Sequence, residues 1–204
     1  MIVLAGEDQN DCEILAALIR AHRPDLTDAA KLVRINDPVR LRKKSGADLS
    51  AAVKVLVGKA RAKALQQRTT LHGIVVHEDL DGFTNNRYDA VRKTVAAELA
   101  RQSGSFESVF ALAAWESEAW LLLFPEAFAL VRPRWEVPTT LRGRDTGRIE
   151  KPKDKLKHGL GTPAFRESDG PLIARAALDH GLLTAPKGSN RSYDHFLEDL
   201  SEWV

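Results

Sequence analysis

The run Leu71-His72-Gly73-Ile74-Val75-Val76-His77, followed at once by Glu78-Asp79-Leu80-Asp81-Gly82, decides how this chain folds. Gly73–Val76 is too short and too uniformly apolar for a surface helix, and a turn-forming acidic segment bounds it, so it reads as a strand covered on both faces. Working outward, similar runs occur at Ile2–Ala5, at Lys31–Asn36 and at Phe106–Ala113. Between them lie helical patterns. Asp11–His22 carries Ile14, Leu15, Leu18 and Ile19 on one face, with Pro24 as a stop. Asp48–Gln67 turns Leu49, Val53, Leu56 and Val57 inward and a Lys/Arg-rich face outward; Tyr88–Gln102 and Trp115–Leu123 follow, and Pro125 opens a further helical piece. This alternation predicts an α/β domain with a mostly parallel four-stranded sheet flanked by helices.

Beyond Arg132 the pattern loosens. Pro133, Pro138, Gly143, Gly147 and Pro152 punctuate a basic stretch, which predicts a long loop over the sheet edge, and two helices, about Gly170–His180 and Tyr193–Trp203, close the chain. The expected organisation is a core over 1–131 with a basic loop and helical extension, 132–204, packed on it. A chain of 204 residues is long enough for one full core and such an extension. Its single Cys12 excludes an internal disulfide framework and a Cys-rich zinc site, and fits a reduced compartment. No apolar run is long enough to span a bilayer, and the chain opens on a strand rather than a basic leader, so a cytoplasmic location is expected.

Net charge is only +2, but Lys31–Arg68 holds eleven Lys/Arg against two acids, and Arg132–His158 nine against four. Basic flanks around an acidic centre suit a polyanion held over a metal site, whereas solvated helix faces are the plainer account of either stretch alone.

In an open parallel sheet, ligands gather beyond the carboxyl ends of the strands. Three of the four predicted strands run into acids there: Glu7, Asp8 and Asp11 after the first; Glu78, Asp79 and Asp81 after the third; Glu116 and Glu118 after the fourth. Converging carboxylates repel unless a cation neutralises them, and hard oxygen ligands select Mg²⁺, Mn²⁺ or Ca²⁺ over zinc. Glu7 and Asp11 lie one helical turn apart and can face one point, while Asp8 reads as a helix cap. Asp79 and Asp81, alternate residues of an extended segment, can share one ion, with Gly82 allowing the turn behind them. Of the two glutamates, Glu118, which opens the run Glu118-Ala119-Trp120-Leu121-Leu122, is the first candidate and Glu116 the second. Lys151 and Lys153 could approach a phosphate, though a surface lysine is the ordinary outcome for either; His77 precedes the acidic turn but a core or edge histidine is the more frequent outcome.

At these residues the chain resembles the Toprim group of metal-dependent domains, which includes topoisomerases, bacterial primases and the OLD-type nucleases. The likeness covers about the first two thirds of the chain and rests on Gly6-Glu7, Asp11, the Asp79/Asp81 pair and a further acid near the fourth strand. Glu7 with Asp11 is more similar to the OLD-type variant. The whole chain also resembles the small bacterial proteins known as domain of unknown function 4276, through the opening Gly-Glu, the D-x-D and Glu118–Leu122. It departs from them at Leu4-Ala5-Gly6-Glu7-Asp8, where Asp8 stands in place of their usual glycine. The resemblance implies a Toprim-like core and Mg²⁺-dependent cleavage, often within phage-defence operons. OLD-type enzymes carry an ATPase domain, and no Walker sequence occurs here, so an ATPase partner would be a separate polypeptide. Toprim-like nucleases are often dimers.

The expectation is therefore a nuclease acting on DNA or RNA. Asp79, Asp81 and Glu118 or Glu116 hold one Mg²⁺ or Mn²⁺, and Glu7 with Asp11 holds a second or activates water. Arg42, Lys43 and Lys44, with Arg142, Arg144, Lys151 and Lys153, grip backbone phosphates. The alternatives are a non-catalytic subunit binding nucleic acid or a partner around a structural ion, and a phosphatase or phosphotransferase with Asp79 as nucleophile.

Overall fold

Each strand alternates its side chains between two apolar layers, and that alternation builds the molecule. In the computed structural model, which describes residues 1–36 and 40–203, β1 (Ile2–Ala5) sends Ile2 and Leu4 into one layer and Val3 and Ala5 into the other. Asp37, Pro38 and Val39 of the basic stretch, and Val204 at the end of the extension, lie outside the described residues. In β3 (Gly73–Asp79) Val75 faces the first layer while Ile74 and Val76 face the second. In β4 (Glu107–Ala113) Val109, Ala111 and Ala113 oppose Phe110 and Leu112 in the same way. With β2 (Leu32–Arg34) these strands form one all-parallel sheet in the order β2-β1-β3-β4. Burial on both faces is what a parallel sheet with crossover helices requires.

The first layer is covered by α1 (Gln9–His22) and by everything after β4. The second is covered by α3 (Gly46–Gln66) and α4 (Asn86–Ser103), with α2 (Pro24–Ala29) a short bracket after α1. Because β2 lies on one side of β1 and β3 on the other, successive crossovers leave in opposite directions, and the switch point falls between β1 and β3.

The C-terminal segment is integral to the first layer. Trp135, Phe165, Ile173, Tyr193 and Phe196 share that layer with Ile2, Val75 and Val109. After β4 the chain forms α5 (Glu118–Leu121) and α6 (Pro125–Val131), and the C-terminal segment adds α7 (Pro152–Gly159), α8 (Gly170–Asp179) and α9 (Arg191–Ser201). Trp203, just past α9, lies against the start of β3; a Cβ on Gly73 would come within 2.5 Å of its ring, so only glycine admits this contact.

Several boundaries differ from the sequence expectation. α1 ends at His22, just before Pro24 as expected, and Pro24 in addition opens α2, since proline suits the first helical turn. β3 runs two residues past His77, because its pairing with β4 continues through Glu78 and Asp79. The helix expected over Trp115–Leu123 shrinks to α5. Trp115 has φ +58° and is tied to the turn after β3, accepting from the Asp81 N–H and donating its own N–H to the Gly82 carbonyl. The basic loop contains a helix the sequence did not announce, α7, entered through Lys151 at φ +49° with proline at its first turn.

Candidate metal centre

The strand period of two divides the acids that cluster in the sequence. Asp79 and His77 project toward the α1 layer, and Glu78 between them projects to the opposite face. The carboxyl edge of the sheet thus carries two acidic groups of different character.

On the α1 side, Gly6 lets the helix start close behind β1; a Cβ there would sit 3.3 Å from the Asp11 Cβ and the Cys12 Sγ. Asp8 caps α1, accepting from the Asp11 N–H at 3.0 Å, while Asp11 accepts from the Asp8 N–H at 3.4 Å. That capping box aims the other oxygen of Asp11 at Ser117, whose hydroxyl donates to it at 3.1 Å. Asp79 accepts the Ser117 backbone N–H at 3.1 Å. Ser117 therefore links the two aspartates from the loop after β4. Glu118, the next residue, is 5 % exposed and faces the same space.

These side chains line a cleft of about 130 Å³, together with Glu7, Asn10, Ile14, Lys153 and Glu167. His77 lies beneath it, 1 % exposed. Its Nδ1 is 3.7 Å from Asp11 Oδ2 and its Nε2 3.7 Å from Asp79 Oδ1, and neither nitrogen has a hydrogen-bond partner. Trp120 meets the imidazole edge-on at 5.6 Å. Trp120 is held in turn by Phe196, stacked at 5.4 Å, and by a hydrogen bond from its Nε1 to Ser192 Oγ at 2.9 Å. Ser192 also accepts the Ala114 N–H and donates to Asn190. The C-terminal extension thus supports the floor of the cleft, and Glu118–Leu122 acquires a meaning: its glutamate faces the cleft and its tryptophan lies under the histidine.

Burial alone would raise Asp11, yet His77 and the Ser117 hydroxyl hold its carboxyl below the usual range. Burial drives Asp79 well above it, with His77 opposing. Burial also lifts Glu118 to about 7, against the attraction of Lys153. For His77 burial disfavours the charged ring, but Asp11 and Asp79 outweigh it and raise the pKa to about 9. Lys153, in the first turn of α7, is held charged by Glu118, Glu116 and Glu167 in spite of its burial. Its Nζ lies 3.2 Å from Glu167 and 3.9 Å from Glu116, and Glu116 also accepts the Lys153 backbone N–H.

On the other side the acids surround one arginine. Glu78, fully buried, accepts the backbone N–H groups of Leu41 and of Arg42, the latter at 3.0 Å. The Arg42 guanidinium donates to the Leu80 carbonyl at 2.8 Å and to Asp81 at 2.6 Å, and lies 3.5 Å from Glu7. Asp81 sits at φ +55°, so the chain has left the extended conformation by the second member of the D-x-D. The shared-ion geometry expected for Asp79 and Asp81 is absent for that reason: one faces Ser117, the other Arg42.

Of the expected metal ligands, Asp11, Asp79, Glu118 and Glu7 line the cleft, with Glu7 reaching toward Arg42 as well. Glu116 borders it through Lys153, and Asp81 lies outside. Of the expected phosphate contacts, Arg42 is turned inward, and Lys153 lines the cleft. Lys43, Lys44, Arg144 and Lys151 are exposed. Arg142 is exposed too, and bonds the Val137 carbonyl and Glu136. The sequence reading set His77 aside as a core or edge histidine and did not single out Ser117. The first carried a usable signal, since it lies two residues before Asp79 on a strand and must share its face; the second carried none.

Comparison with protein-family models, with curated proteins and with solved structures returns no match. The chemistry of the cleft fits a divalent cation on its own terms. One oxygen each from Asp11 and Asp79 and one nitrogen of His77 lie within 4.8 Å of one another, and the buried Glu7 Oε1 and both His77 nitrogens make no hydrogen bond. Among the described residues, no helix is long and apolar enough to cross a membrane.

Proposed function

We propose that this chain is a cytoplasmic, Toprim-like nuclease that hydrolyses phosphodiester bonds of DNA or RNA with Mg²⁺ or Mn²⁺. The observation that carries the reading is that Asp11, Asp79 and Glu118, from three separate elements, enter one cleft at the β1/β3 switch point with a lysine across it. Asp11, Asp79 and Glu118 would hold the ion, which when bound supplies a Lewis acid and an acidified water. Ser117 fixes the two aspartates in register. Glu7, at the rim, has an oxygen that makes no hydrogen bond and lies 3.5 Å from the Arg42 guanidinium, and it is placed to accept a proton from an attacking water. The Lys153 ammonium faces the cleft and is suited to stabilise a phosphate or leaving oxygen. Lys43, Lys44, Arg144 and Lys151 are free of the cleft and suit backbone phosphates, contacts that weaken steeply with salt. A second copy of the chain and a separately encoded ATPase are the partners this reading favours, with phage defence as the setting.

The test is incubation of the protein with supercoiled plasmid, linear duplex, single-stranded DNA and total tRNA, each with Mg²⁺, Mn²⁺, Ca²⁺ or EDTA. Cleavage is expected with Mg²⁺ or Mn²⁺ only, and Asp79→Asn should lower it by about a thousandfold or more, the scale of losing a group that stabilises the transition state. Cleavage that survives EDTA, or survives in Asp79→Asn, would overturn the reading.

One observation favours a second reading. Lys153 already lies among Glu116, Glu118 and Glu167, so the cleft has an internal cation. A non-catalytic subunit that binds nucleic acid or a partner protein would need no more than that. It predicts binding to the same substrates with no turnover under any metal.

A further inference from the structure

We propose that His77 is a nitrogen ligand of this centre and makes it selective for first-row transition ions, Mn²⁺ included, over Mg²⁺. The inference rests on the reading that the cleft holds a divalent ion, and it departs from the all-carboxylate site the sequence suggested. A buried histidine with a structural role has its ring nitrogens satisfied. His77 is 1 % exposed and neither nitrogen makes a hydrogen bond; each lies only within ion-pair range of a carboxylate. The carboxylate oxygens it faces, at 3.7 Å on both sides, are too far for hydrogen bonds. That separation is comparable with the spacing of two donors sharing one ion, each about 2.1 Å from it. Only one ring nitrogen can serve as a ligand, and it releases its proton to solvent as the ion binds. The other then faces the remaining aspartate, the outer partner that metal-bound imidazoles habitually have. The ring is not free to turn away, because Trp120 backs it and is itself fixed by Ser192 and Phe196.

The donor set decides the ion. Oxygen-only sites suit Mg²⁺ and Ca²⁺, whereas imidazole bonds favourably to transition ions and poorly to Mg²⁺. One aspartate and one imidazole, with the Glu118 carboxylate facing the same cleft, make a mixed site in which Mn²⁺ gains a bond that Mg²⁺ uses weakly.

The experiment is calorimetric titration of the full chain with Mn²⁺ and with Mg²⁺, together with pulsed electron paramagnetic resonance of the Mn²⁺ form, unlabelled and with ¹⁵N-histidine. Mn²⁺ is expected to bind about tenfold or more tightly than Mg²⁺. The spectrum should show a nitrogen coupling that changes with the label. In His77→Asn the coupling should vanish and the two affinities converge. Bound Mn²⁺ without nitrogen coupling, equal affinities in the unaltered protein, or a coupling that persists in His77→Asn would each overturn the proposal. If His77→Asn does not fold, the labelled spectrum of the unaltered protein still decides. Nitrogen coupling without cleavage of any substrate would keep His77 as a ligand and sink the nuclease; metal-dependent cleavage without the coupling would do the reverse. Absence of any ion binding would remove both.

Discussion

The two acidic groups at the carboxyl edge of the sheet are adjacent in sequence and opposite in construction. Around Arg42, Glu78 has two backbone N–H donors and a guanidinium, and Asp81 and Glu7 share that guanidinium. Around His77, Asp11 and Asp79 share one serine, Glu118 has a lysine at its side, and the imidazole has no hydrogen bond. The first group is neutralised by fixed partners and holds the loop before α3 against the end of β3. The second is left short of partners, as buried charge is where an ion or a substrate completes it. Atoms without hydrogen bonds occur in both groups, Arg42 Nε and Glu7 Oε1 in the first and both imidazole nitrogens in the second. The difference is that in the second three carboxylates and a lysine face one cleft over a buried imidazole.

The comparison breaks most visibly if the fixed partner is removed. Arg42→Ala leaves Glu78 buried without its cation and releases Asp81 and Glu7. Loss of about 3–5 kcal/mol in urea unfolding is expected, the usual cost of breaking a buried pair from one side. A loss below about 1 kcal/mol would mean that the two backbone N–H donors suffice for Glu78, and that the two groups differ less than their geometry suggests.

On the other face the sign reverses. Burial raises Glu118 from 4.5 to about 7, so the folded state holds its proton to higher pH than the unfolded chain does. Between those values folded protein binds more protons, and stability falls as pH rises through the window. In EDTA, Glu118→Gln should therefore stabilise the protein above pH 7 by on the order of 2–3 kcal/mol and flatten the decline between pH 4.5 and 7. Destabilisation at pH 8 would show that Lys153 compensates the carboxylate fully and that the cleft carries no unsatisfied charge.

Most of the fold could be read from the sequence because both of its main periods are strong. Uniform apolar runs at Ile2–Ala5 and Gly73–Val76, and the helical stripe of Ile14, Leu15, Leu18 and Ile19, leave little choice of element or order. The segment after Arg132 was less legible. Its α7 is eight residues long and opens at a left-handed lysine, and its core residues, Trp135 and Phe165, are far apart in sequence. At the site, the sequence expected Asp11, Asp79 and Glu118 to converge at one edge of the sheet, and they line one cleft there. It did not sort Asp81 from Asp79, because that depends on where β3 stops pairing. Pairing extends to Asp79 opposite Ala113 and then ends, and a turn with two left-handed residues, Asp81 and Trp115, swings the second acid to the other face.

Of these acids, Asp81 is the least costly to replace. The Asp81 side chain is 63 % exposed, and Arg42 keeps Glu78 and the Leu80 carbonyl without it. Asp81→Asn should then cost less than about 1 kcal/mol, as exposed ion pairs do. More tellingly, it should leave intact the rise in melting temperature that Mn²⁺ produces, since a ligand that binds only the folded state at a hundredfold excess over its Kd contributes about 2.7 kcal/mol whatever happens at a remote group. Asp79→Asn should abolish that rise. If the two variants lose the metal response alike, then Asp81 turns back to join Asp79 when the ion binds, the Arg42 contact is only the resting arrangement, and the two acidic faces act as one.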